Sequence, residues 1–181
     1  GVTGVQAGLP VWANLDAATL ATLTPDVVTL AGNSDLAALP AAACSGWSAN
    51  LIAAIGASTS TYDPDKNPSH QCAYLSPACV QQIPVAAWAG VQISCVQSLA
   101  ASQLAVISAA QFGAITPSSL QSFSAAQMAA VAPTACAGIT SDQASQLENN
   151  APHGQTTNNT AHTIGSAGSS DCGSGRESGR E

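Results

Sequence analysis

The chain has 181 residues, 46% of them apolar and only 7% charged, and a formal net charge of -7. An average soluble domain is roughly 25% charged. The only fixed cations here are Lys66, Arg176 and Arg180, so the basic patch that nucleic acid or an anionic membrane needs has no source. No apolar run is long enough to span a bilayer, and with aromatics at 4% the core must be thin and built from Ala, Leu, Val and Ile.

In chain order, a large apolar residue returns at every eighth position. Leu15, Leu23, Ala31, Leu39, Trp47 and Ile55 form one series, and Trp12, Leu20, Val28, Leu36, Cys44 and Ile52 form a second, making six octads that begin at Ala7. Gly56 to Tyr74, rich in Ser and Thr and then generally polar, reads as an inserted loop that separates two arrays. The register resumes in Leu75, Ile83, Val91, Leu99, Ile107, Ile115, Phe123, Val131 and Ile139, accompanied by Val80, Trp88, Val96, Leu104, Phe112, Leu120 and Met128, for nine more octads. After Leu147 the pattern dissolves into Asn, Gly, Thr and Ser. Residues 7–150 are therefore expected to form one octad-repeat solenoid with a loop at 56–74, and residues 151–181 a low-complexity tail or linker between subunits.

Eight residues on one continuous helix advance about 800°, so an octad stripe would drift roughly 80° per unit and leave any partner. Prolines rule out the long helix more directly, because Pro10, Pro25, Pro40, Pro77, Pro84, Pro117 and Pro133 recur near octad starts, and proline suits only the first turn of a helix. Thr24-Pro25, Ser76-Pro77 and Thr116-Pro117 read as an N-cap hydroxyl followed by Pro at the first helical position. Gly46, Gly90 and Gly138 close three octads, where glycine suits a helix C-terminal turn. A β-solenoid would favour Val, Ile and Thr at the variable sites, which are instead Ala and Gln. The expected fold is all-α: a superhelix of short helices, one per octad, with the two apolar positions inward and Ala, Gln and Ser outward.

Chemistry-bearing motifs are sparse. Asp63, Asp65 and Asn67 alternate as calcium-loop ligands begin, but neither the central Gly nor the bidentate Glu follows. His70, His153 and His162 lack zinc-site spacing. No phosphate loop, nucleophile elbow or separate carboxylate pair is present, so neither catalysis nor a cofactor is expected. Cys44, Cys72, Cys79, Cys95, Cys136 and Cys172 suit three bridges in an oxidising compartment, with fifteen connectivities open. Cys72 would tie the loop to Cys79 or Cys44. Asn158 heads an N-glycosylation sequon. The chain starts at Gly1 without a leader pattern, so any secretory signal is expected to have been removed or to lie outside this sequence.

Pro84-Val-Ala-Ala-Trp-Ala-Gly-Val, Pro40-Ala-Ala-Ala-Cys-Ser-Gly-Trp and Phe123-Ser-Ala-Ala-Gln-Met-Ala-Ala-Val resemble the tandem octapeptide units of low-charge surface proteins of protists, algae and fungi. The Leu-Ser/Thr-Pro-x-x-Leu pattern is also similar to the short-helix repeats of mesothelin-like proteins. The resemblance implies an extracellular superhelix used in cell-surface coats, adhesion or filaments, and the uncharged Ala/Ser/Gln surface, the even number of cysteines and the low-complexity tail point to a structural subunit that packs with copies of itself into a filament or coat. Adhesion or glycan binding is the alternative. Ice binding ranks third, because the residues following the leading apolar position are too irregular for a flat Thr array.

Overall fold

A computed structural model of the chain describes residues 11–57 and 68–144. Fifteen short helical segments run from Trp12–Asn14 to Pro133–Cys136, followed by a further helical turn at 141–144, and no strand occurs among the described residues. The fold is all-α and built from short helices.

It is convenient to letter the octad a to h, with Leu75 at a, Cys79 at e, Val80 at f and Gln82 at h. Except at Ile55, which lies within the helix Ala49–Ala57, position a is extended, b is the N-cap, and the helix occupies c onward, as in Pro77–Gln82, Ile93–Ser98 and Ala109–Gly113. Two backbone bonds meet at f. Its N–H closes an i→i−4 bond on the b carbonyl, as Val80 does on Ser76, and its carbonyl accepts the N–H of the next a residue, as Ile83 donates to Val80. The second bond, 3.1–3.4 Å long, recurs from Leu15 to Ile139 and holds the two inward apolar side chains of each corner together. Helices this short are not stable alone in water, so burial of these pairs is what keeps them folded.

The inward series is buried from Trp12 through Val131, with Leu23 and Ile139 half-buried against the same continuous core. The chain folds back on itself at a fixed interval. Gln103 bonds the carbonyl of Leu75, Gln111 that of Ile83, Gln127 that of Leu99 and Gln143 that of Ile115, each 28 residues earlier. Helix packing follows the same rule: Ala17–Thr22 lies on Ala41–Gly46, Ala109–Gly113 on Pro133–Cys136, and Ala101–Leu104 on Ala125–Ala130, three octads away each time. The octads therefore form a solenoid with a little over three per turn.

The insertion is shorter than the sequence suggests. Gln71 bonds the Ala31 carbonyl across 40 residues where its counterparts span 28, and the Cys44–Cys79 bridge spans 35 where its counterpart, Cys72–Cys95, spans 23. Both exceed their counterparts by twelve. Ile55 thus fills position a, twelve residues follow, and 68–74 complete the same octad with Gln71 and Cys72 buried in register. The expected insertion of 56–74 is corrected to the twelve residues 56–67, of which Gly56 and Ala57 still continue the helix Ala49–Ala57 and 58–67 lie outside the described residues, and there is one array rather than two. Candidate calcium ligands Asp63, Asp65 and Asn67 lie outside the described residues, as do residues 151–181 with His153, His162 and the Asn158 sequon.

The three octad-closing glycines also have a different purpose from the one expected. None of them adopts the left-handed conformation of a C-terminal glycine cap. Instead, a Cβ on Gly46, Gly90 or Gly138 would collide with the backbone carbonyl of Ala17, Ala49 or Ala109 on the neighbouring turn. Glycine is required there because two backbones touch.

Candidate functional site

With a and f inward, the sequence places e on the boundary, and its occupant decides how one turn joins the last. In the octad that contains Ala100-Ala-Ser-Gln103, the Gln103 amide does two things at once. Its Oε1 accepts the Ala100 N–H at 2.7 Å, closing the helix start as in a capping box. Its Nε2 donates to the carbonyls of Cys72 and Leu75 on the turn beneath, at 2.8 and 2.7 Å. Gln111, Gln127 and Gln143 repeat the arrangement: Oε1 takes the N–H of Ser108, Ser124 or Thr140, and Nε2 reaches the carbonyls of Ile83, of Val96 and Leu99, and of Gly113 and Ile115. Ser119 makes a one-armed version, its hydroxyl donating to the Val91 carbonyl at 2.8 Å.

Gln71 shows the rule by its exception. Position b of its octad is Pro68, which has no N–H, and the Gln71 Oε1 is buried without a hydrogen-bond partner while Nε2 still reaches Ala31. Where Pro40 and Pro84 occupy b, position e is Ala43 or Ala87 and h is glycine, so the turns approach by backbone contact instead of through an amide.

Cysteine is the third way to join turns. In both bridges an f cysteine pairs with the e cysteine three octads later: Cys44 with Cys79 and Cys72 with Cys95, with Cα atoms 5.3 Å apart in each. The expectation that Cys72 ties the loop to Cys79 or Cys44 is corrected to Cys95. Cys136 is also disulfide-bonded, to a partner outside the described residues, where Cys172 also lies. None of the described cysteines is free.

The expectation that Gln points outward with Ala and Ser is therefore corrected for position e, where Gln71, Gln103, Gln111 and Gln143 are at most 7% exposed. The sequence does carry a signal for it, because these glutamines are separated by multiples of eight and follow Ser or Thr by three in Ser108-x-x-Gln111, Ser124-x-x-Gln127 and Thr140-x-x-Gln143.

With the amides of e turned inward, the outer surface of 68–141 has no Asp, Glu, Lys or Arg at all. Its exposed large apolar residues are Tyr74, Val85 and Ile93. The described acids Asp16, Asp26, Asp35 and Asp142 lie at the two ends of the array, and no group of three or more His, Cys, Asp or Glu is placed to hold a metal among the described residues. Nor is any described helix long and apolar enough to cross a membrane. A groove of about 680 Å³ opens where Ile93–Ser98 meets Pro117–Leu120, and Ala53, Gln92, Gln97, Thr116 and Ser118 contribute to its walls. No protein-family model, curated protein or solved structure matches the chain.

Proposed function

We propose that the protein is a structural subunit of an extracellular filament, coat or appendage, and that copies associate laterally through the uncharged outer face of residues 68–141. The observation that carries this reading is the complete lack of charge on that face. Like-charge repulsion is the ordinary means by which a soluble surface keeps copies apart, and this stretch has none, while Val85 and Tyr74 remain exposed on it. The acids Asp16, Asp26 and Asp35 are gathered in the first turn, which leaves the flank rather than that end as the adhesive surface. Buried disulfides between turns suit an oxidising compartment, and the octapeptide pattern is similar to that of surface-coat repeat proteins.

The test is sedimentation and light scattering of the purified protein over a wide concentration range, with electron microscopy of the concentrated sample. Mass should rise with concentration, and the double variant V85K/A105K, which places two charges on exposed sites, should return the protein to monomer with its Tm unchanged. A monodisperse monomer at the highest concentration, without fibres or sheets, overturns the reading.

A further inference from the structure

We infer that the groove beside Ile93–Ser98 is a binding site for a short, uncharged carbohydrate chain. Two independent observations converge on it. The first is its chemistry. No lining residue is charged, so the groove offers nothing to a phosphate, a carboxylate or a cation. It does offer two exposed amides, Gln92 and Gln97, whose side chains make no hydrogen bond to any described residue, and the hydroxyls of Thr116 and Ser118, which pair only with each other and with Ser119. Amides and hydroxyls both donate and accept, as sugar hydroxyls do. Ile93, 48% exposed, supplies an aliphatic surface for the C–H face of a pyranose ring. The volume falls within the usual range of small-ligand clefts.

The second observation is the insertion. Twelve residues enter the array here without shifting its register, and consecutive residues of the helix that lines the groove hold the first residue of the insertion and the helix Pro68–Tyr74 that follows it. Ser94 donates its hydroxyl to the Gly56 carbonyl, and Cys95 is bridged to Cys72. A repeat array needs no such insertion to fold, and in solenoids insertions gather on one face, which is often the binding face. Ala53, just before the insertion, lies in the groove wall. A peptide is the poorer fit: the described residues present no strand edge for it to extend, and the groove has a single large exposed apolar anchor rather than the row a helix would need.

This inference does not depend on self-assembly, and the V85K/A105K variant separates the two, because neither residue lines the groove. The probes are neutral trisaccharides (cellotriose, maltotriose, mannotriose and N,N′,N″-triacetylchitotriose) with trigalacturonate as the charged control. They are titrated into ¹⁵N-labelled full-length protein carrying those two lysines and followed by ¹H–¹⁵N NMR. At least one neutral sugar should shift amides confined to 89–97 and 116–119. Q92A/Q97A should weaken its binding about tenfold or more, in line with the loss of one or two hydrogen bonds, with the rest of the spectrum unchanged. Absence of confined shifts with every neutral sugar, tighter binding of trigalacturonate, or undiminished binding by a Q92A/Q97A protein of native spectrum would each overturn it.

Discussion

The first turn of the solenoid and the turns stacked on it solve the same local problem with different residues. Wherever b is not proline, the helix start leaves a backbone N–H there to satisfy. In the first turn Asp35 does so, its Oδ2 accepting the Gly32 N–H at 2.8 Å, and Asp16 caps the Thr19 N–H at 2.7 Å. In later turns the b N–H is met by Gln103, Gln111, Gln127 and Gln143. The carboxylate and the amide offer the same acceptor, so capping does not explain the change. What differs is the surroundings: position e is exposed or half-buried at Thr19, Val27 and Asp35 and, except at the half-buried Gln127, becomes buried once a turn lies beneath it. A buried carboxylate would face two carbonyl oxygens with no proton to give, whereas a glutamine caps with one end and donates with the other. Charge is used where solvent reaches the cap, and amide where protein does.

The two disulfides test that contrast hardest. Cys44–Cys79 ties the first part of the array to the second across 35 residues, and C44A/C79A should cost about 4 kcal/mol on a loop-entropy account. If the amide-stitched turns are the more stable region, this variant should unfold in two steps, with hydrogen exchange accelerating first in Ala17–Thr22 and Pro25–Thr29 and later in Ala101–Leu104 and Ala109–Gly113. A single coincident transition would erase the distinction. C72A/C95A, which opens a loop of 23 residues, should cost slightly less and should loosen the helix carrying Ser94 and Cys95.

Next in size are the glycines that bring backbones together. Gly90→Ala should destabilise by about 3 kcal/mol, a large overpacking penalty because the obstacle is the Ala49 backbone rather than a movable side chain, and Tm should fall by roughly 10 °C. Gly56→Ala is the control. Its new Cβ would meet the Cys95 Cβ and Gln92 Cβ at 3.5 Å, ordinary contact, and thermal melts should show little change. Equal losses in the two variants would mean that glycine is used for backbone conformation after all.

Gln103→Met should cost about 2 kcal/mol, because it keeps the volume while removing the amide partner of the Leu75 carbonyl and of the Ala100 N–H and leaving the Cys72 carbonyl only the Leu75 N–H. Asp35→Ala, which removes one cap in the first turn, should cost about 1 kcal/mol. The ratio of the two losses, read from denaturant midpoints, measures what stacking adds to capping.

Much of this architecture is legible in the amino-acid sequence. Positions a and f announce themselves because large aliphatic and aromatic side chains have few other uses in so sparse a chain, and Thr24-Pro25, Ser76-Pro77 and Thr116-Pro117 all mark helix starts, although the expected hydroxyl cap forms at Ser76 and Thr116 and not at Thr24, whose side chain makes no cap bond. Position e does not read as inward, since Gln, Ser, Cys and Ala each suit a surface when taken singly, and their shared role depends on a turn 28 residues away. The end of the insertion is hidden for a related reason. The octad of Gln71 and Cys72 draws its apolar a residue, Ile55, from before the loop, so no local pattern marks where it resumes. The groove joins Ala53, Ala89, Gln97 and Ser118 from four different octads, and an eight-residue spacing says nothing about where four of its copies leave a gap.

The smallest expected effect is also the one that most directly distinguishes the two regions. The Asp16 carboxyl is held below its ordinary pKa, first by the Thr19 backbone N–H and then by the Thr19 hydroxyl. A carboxyl whose folded pKa is depressed adds stability above its unfolded value, and this is lost as the pH falls through the folded one. Stabilisation of Ala17–Thr22 should therefore be complete at neutral pH and fade below about pH 4, by a small amount because the group is exposed and solvent screens it. Residues 68–141 contain no carboxylate to titrate. Hydrogen exchange corrected for intrinsic rates should show protection falling between about pH 5 and pH 3 in Ala17–Thr22 and staying level in Ala101–Leu104 and Ala109–Gly113, with Asp16→Asn flattening the first profile. A parallel decline in both regions would mean that the acid-sensitive contact lies at neither helix start, and that carboxylate and amide capping are equivalent in this fold.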